Sequence, residues 1–91
     1  MTSSPRNAVR IDPSDNVATV LTAAPPGTVV TWDDAEGVVA SEAIPAGHKV
    51  AIAPIATGQP IRKYGHPIGV ASQPIAVGQH VHTHNLTGQD I

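Results

Sequence analysis

No cysteine and no phenylalanine occur in the 91 residues, and Trp32 and Tyr64 are the only large aromatic side chains. The missing cysteines exclude a disulfide framework, a zinc ribbon and a thiol nucleophile, and they fit a reducing compartment. Charge is also scarce: five Lys/Arg stand against seven Asp/Glu, for a formal net charge of −2. A nucleic-acid binder needs a basic patch with stacking aromatics, and neither is present. No apolar run approaches membrane-spanning length. The first seven residues, Met1 to Asn7, are polar and lack the apolar centre of a signal peptide. The expectation is a cytoplasmic protein with no nucleic-acid or membrane partner.

What the chain does have is aliphatic material. Hydrophobic residues make up 41% and charged residues 13%, too apolar a balance for disorder. The length suits one domain, because two cores would each be too small to fold. A core of Val, Ile, Ala and Leu leaves a thin stability margin, which docking on a partner would widen.

The expected elements follow from pattern. Residues 1–8 read as a leader, although Ala8 to Ile11 alternates like a first strand. Asp12, Pro13 and Asp15 together predict a helix start. Val17, Val20 and Leu21 then mark one helical face, and Ala23 to Gly27 ends a short N-terminal helix of about two and a half turns. Thr28 to Trp32 is β-branched and predicts a strand, Asp33 to Gly37 a turn, and Val38 to Ala40 a second strand. The acidic Asp33, Asp34 and Glu36 lack the spacing of a calcium loop and read as solvated.

From there the chain repeats a device, Ile-x-x-Gly-x-x-(Val/Ile). Copies begin at Ile44, Ile55 and Ile75, and residues 25–29 form a looser fourth. Each copy predicts a turn whose Gly takes a positive φ, with an apolar residue on either side. The spacings of 11 and 20 residues between the three Ile copies match no solenoid period. Nine prolines and eight glycines predict short, bent strands with blunted edges.

Three segments carry candidate chemistry. His80, His82 and His84 alternate with Val81 and Thr83. On a strand they share one face, with about 6–7 Å between successive rings. Such a row is a solvated polar edge, an acid–base or substrate-binding edge, or a metal site. Gly47-His48-Lys49 is either a polar turn tip or a functional one, since the turn needs its Gly and not the His-Lys that follows. Lys63-Tyr64-Gly65 offers an ammonium for a carboxylate or phosphate and a hydroxyl, or else a solvated lysine beside a core filler. Asn85 can bind a substrate hydroxyl or cap a turn.

Together, I-P-A-G-H-K (44–49), I-A-T-G (55–58), K-Y-G (63–65), I-G-x-A (68–71) and V-H-T-H-N (81–85) resemble the SAF domain of the altronate and galactarate dehydratases. The upstream D-N-V-A-T-x-L (15–21) also fits, and the resemblance spans roughly residues 9–88, leaving 89–91 as a tail. SAF modules of other function, including chaperones and antifreeze-like domains, share the Ile-x-x-Gly turns alone. The resemblance implies a mainly β, β-clip fold. It also implies a place either as a small subunit, as in the sulfolactate sulfo-lyase type, or as an N-terminal domain of a larger enzyme.

The function so implied is that of an accessory part of a hydro-lyase acting on a sugar acid, inactive alone, working with a large dehydratase catalytic subunit. The alternative is a non-catalytic SAF-type binding or chaperone module. Dehydration removes a proton α to a carboxylate and expels the β-hydroxyl, a step helped by a metal and a cation. The resemblance assigns His48, His82 and His84 to catalysis, and Lys49, Lys63, Tyr64 and Asn85 to substrate binding. No metal ligand and no cofactor is assigned to this chain. The divalent metal, iron or manganese, is expected in the partner subunit. His66 and His80 receive no role.

Overall fold

The computed structural model describes residues 6–32 and 37–88, and all regular structure there is β. The strands are β1 (Ala8–Val9), β2 (Val17–Val20), β3 (Val29–Val30), β4 (Val38–Val39), β5 (Lys49–Ala51), β6 (Pro60–Lys63), β7 (His66–Ala71), β8 (His80–Val81) and β9 (Leu86–Thr87). They form three antiparallel sheets with the orders β1-β2-β5-β8, β3-β4 and β6-β7-β9. The short, bent strands of a β-clip are therefore what the prolines and glycines produce. No helix among the described residues is long and apolar enough to cross a membrane.

The repeated turn organises the fold. In each copy an N–H closes back three residues: Thr28 to Pro25, His48 to Pro45, Gln59 to Ala56 and Gln79 to Ala76. The third residue of each turn, Gly27, Gly47, Gly58 or Gly78, has φ between 81° and 91°. This is the third position of a type II turn, which a side chain would strain. The copies pair in twos, through bridges Ala24↔Ile44 and Ile55↔Ile75. Each bridge anchors its own core. One cluster gathers Ala18, Val20, Val30, Trp32, Ile44 and Val50. The other gathers Val17, Ala51, Ile55, Ile61, Ile75 and Val81.

The expected N-terminal helix is a correction, because Val17 to Val20 forms a strand. It pairs with β1 on one side and β5 on the other. Val17 enters the second core while Ala18 and Val20 enter the first, so both faces of β2 are buried. A strand buried on both faces loses its alternation, and its apolar spacing then imitates a helix. The helix-start signals serve other ends. Asp12 Oδ1 accepts from Ser14 N and Oγ at 2.8 and 2.7 Å, closing a local turn. Leu21, assigned to the apolar face, is 55% exposed.

Other expectations hold in shortened form. The strand expected over Thr28 to Trp32 is confined to β3, with Trp32 buried in the first core. Asp33 to Glu36, within the expected acidic turn, lie outside the described residues, as do most of the leader and the tail. Asn7 and Ala8 both donate to Thr31 O, so the described chain is already held at its seventh residue.

A histidine cluster as the candidate functional site

The site grows from the ladder between β5 and β8, which aligns Lys49 with Val81 and Val50 with His80. Extending that register by one residue puts His48 across from His82. The rings of His48 and His82 indeed stack, with centroids 4.2 Å apart. His80 shares the face, two residues before His82. Its Nε2 lies 2.8 Å from His48 Nδ1, one ring donating to the other. His84 reaches the same group, its ring centroid 5.3 Å from that of His80. Four imidazoles from two chain segments thus meet at the edge of one sheet.

The strand expected to carry His80, His82 and His84 is only two residues long. After Val81 the chain turns, and Asn85 makes the turn. Its Oδ1 accepts from His82 N at 3.0 Å and its Nδ2 donates to His80 O at 2.8 Å. Asn85 is 1% exposed, so of its two expected roles the turn cap is the one its geometry fits. It folds the V-H-T-H-N segment back and thereby brings His84 toward the cluster.

Lysines flank the imidazoles. Lys49 is only 4% exposed, and its proton affinity is lowered first by burial and then by the charge of Lys63. The Lys63 ammonium lies 4.9 Å from the Tyr64 ring centroid. Tyr64 and Gly65 form the two-residue tip between β6 and β7, with φ of 57° and 79°. Positive φ at both tip residues is the mark of the tight hairpin turn that matches strand twist, and Tyr is strained there. The buried Asp15 carboxylate holds the tip, accepting from Tyr64 N at 2.9 Å and Gly65 N at 2.7 Å.

The electrostatics disfavour the charged forms of His80 and His82. Burial lowers the proton affinity of His80, and the charges of His48, His84 and His82 lower it further, with Glu42 opposing. Partial burial likewise leads for His82, followed by His48, Lys49 and His84. A neutral imidazole accepts a proton or binds a cation. Nδ1 of His82 is buried and has no hydrogen-bond partner among the described residues. The ring nitrogens of His48, His80 and His82 include one each that lie within 4.8 Å of one another, which makes the trio a candidate metal-ligand group.

The structure therefore gathers His48, His82 and His84, with Lys49 beside His82 and Lys63 and Tyr64 beyond it. His66 stands apart, exposed at the start of β7 and paired with Lys63. Sequence reasoning missed His80, which lies at the centre of the cluster, and Asp15, which fixes the tip. The signal for His80 was its place on the same alternation as His82. The pairing of two distant turn copies, which brings His48 to it, left no local trace.

Comparison with known proteins gives this arrangement a family. The family model described as the altronate/galactarate dehydratase SAF domain matches residues 6–89. Altronate dehydratase of Escherichia coli (strain K12) is 43% identical over 77 residues, which is 85% of this chain and 15% of that protein. Altronate dehydratase of Bacillus subtilis (strain 168) is 52% identical over 42 residues, 46% of this chain and 8% of that protein. The chain thus spans a small fraction of the altronate dehydratases it matches. The (2R)-sulfolactate sulfo-lyase subunit alpha of Paracoccus pantotrophus is 43% identical over 58 residues, 63% of this chain and 87% of that subunit. On the strength of the match over residues 6–89, the chain belongs to the altronate/galactarate dehydratase SAF domain family.

Proposed function

We propose that this chain is the accessory part of a lyase that dehydrates a sugar acid such as altronate or galactarate, and that it acts with a larger catalytic chain. The observation that carries the reading is the convergence of His48, His82 and His84 with Lys49 at one sheet edge. Relatives named altronate dehydratase and sulfolactate sulfo-lyase subunit alpha support the lyase class. In the first, the matched segment is a small part of a much longer chain. In the second, it is most of a subunit.

The chemistry follows from the groups present. An imidazole of the cluster, His48 or His82, accepts the proton α to the substrate carboxylate, or returns one to the departing β-hydroxyl. His84, exposed at the rim, is placed to exchange protons with water. Lys49 and Lys63 supply positive charge for the carboxylate that gains electron density in the transition state. Tyr64, 46% exposed, offers its hydroxyl to a substrate hydroxyl. A divalent metal, when bound, polarises the carboxylate and makes the α-proton more acidic. On this reading the larger chain supplies most of the pocket. The reading places the protein in the cytoplasm.

The experiment is co-purification with the large dehydratase chain and a screen over sugar acids. The complex is expected to turn over and this chain alone is not. Replacing His82 and His84 together by Ala is expected to reduce turnover about 10²–10⁴-fold, the range of acid–base catalysis. Full activity in that variant would favour the non-catalytic SAF-type binding or chaperone module instead.

A further inference from the structure

We infer that His48, His80 and His82 form a divalent-metal site carried by this chain itself, selective for iron, cobalt, nickel or zinc over magnesium and manganese. This deepens the lyase reading and rests on it for the site's purpose. It differs from the expectation that the partner alone holds the metal, and it gives His80 a part: with an ion bound, His48 and His82 serve as its ligands and the acid–base role passes to His84, which stands against His80.

The geometry is close to that of a bound ion. One ring nitrogen from each histidine lies within 4.8 Å of the others, and His48 Nδ1 and His80 Nε2 are 2.8 Å apart. Metal–nitrogen bonds of about 2.0–2.1 Å put neighbouring ligand nitrogens roughly 3–3.4 Å apart. Holding an ion therefore requires the three rings to draw together from this arrangement. The backbone is already fixed, by the β5–β8 ladder on one side and the Asn85 turn on the other. Preorganised ligands bind with less ordering cost.

A second observation points the same way. His82 Nδ1 is buried without a hydrogen-bond partner among the described residues. A buried polar nitrogen left unpaired is costly, and native proteins seldom retain one without a use. A cation satisfies such a lone pair.

The donor set decides the metal. Three imidazoles and no carboxylate favour the later first-row divalent ions, while magnesium and manganese prefer oxygen ligands. The Glu42 carboxylate, beside His80, accepts from the backbone N–H of His80. Three protein ligands also leave a coordination position open, the pattern of sites where the ion meets substrate or water. His84 stands beside the trio, its ring centroid 5.3 Å from that of His80.

The test uses the full chain, stripped with a chelator and titrated with Zn²⁺ or Co²⁺, with no partner and no turnover assay. One ion per chain is expected, with a Kd below about 10 µM. Co²⁺ is expected to give the visible bands of imidazole ligation. Replacing His48, His80 or His82 singly by Gln is expected to weaken binding roughly 100-fold or more, since even outer-shell losses cost about 10–100-fold. His66→Gln is expected to bind like the parent, and excess Mg²⁺ is expected not to compete. Amide NMR spectra identify any variant that fails to fold, and the remaining single variants carry the comparison. Binding no tighter than about millimolar overturns the proposal, as does binding unchanged in all three variants. An active complex whose small chain binds no ion leaves the lyase reading and removes the metal site. A chain that binds the ion in an inactive complex does the reverse.

Discussion

Lys49 poses a question at the scale of the residue, because a buried ammonium is a stability cost. Burial and Lys63 hold its proton affinity below the ordinary lysine value of 10.5. The unfolded chain therefore binds more protons in the window between the folded value and 10.5. The charged side chain weakens the fold at every pH below that window. Lys49→Met is expected to stabilise the chain at neutral pH by on the order of 1 kcal/mol, read by urea denaturation, while lowering turnover of the complex. A less stable variant would show that Lys49 is structural.

The histidines make a related prediction. His80 and His82 both hold protons less tightly than free imidazole, whose value is 6.5. On acidification the unfolded chain takes up protons first, so stability falls as pH drops through about 6.5. In chelator-treated protein the melting temperature should decline between about pH 7 and pH 5. The double variant His80→Gln, His82→Gln should flatten that decline. A steeper slope in the variant would contradict the account.

At this scale the sequence was informative about residue types and poor about neighbours. G-H-K, K-Y-G and V-H-T-H-N marked seven of the residues now found in or beside the cluster: His48, Lys49, Lys63, Tyr64, His82, His84 and Asn85. His80 went unassigned because its partner His48 is 32 residues away, joined by a strand pairing with no local signature.

At the scale of the element, the turns were legible and the first strand was not. A type II turn demands a residue at positive φ, so Gly at a fixed offset announces it. Val17 to Val20 deceived because two cores bury it from both sides. Asp15 shows how one misread signal conceals another. Assigned to a helix start, it is instead 6% exposed and grips the 64–65 tip. Asp15→Asn keeps one acceptor oxygen and leaves at least one tip amide unpaired. The expected cost is about 1–3 kcal/mol, with faster amide exchange at Tyr64 and Gly65. A parental denaturation midpoint would show that the carboxylate is dispensable.

At the scale of the whole molecule, two small cores share β2 and β5. Ile44 and Ile55 each sit at the bridge that seals one core, at 1% and 2% exposure. Truncating either to Ala is expected to cost about 2–5 kcal/mol, a large part of the stability of so small a domain. Docking on a large chain would restore part of that loss, since a partner that binds only the folded form stabilises it. A melting temperature of Ile55→Ala that is low alone and partly restored in the complex would express both facts.

The central claim is that this chain contributes catalytic imidazoles to a pocket that another chain completes. The most direct measurement is the turnover of a sugar acid by the purified complex, by this chain alone, and by the complex carrying His82→Ala, with assembly checked in each. The account predicts no turnover by the chain alone and an active complex. It predicts a loss of about 100-fold or more in the variant, with assembly unchanged. Turnover by this chain alone, or full activity with His82→Ala, would contradict it.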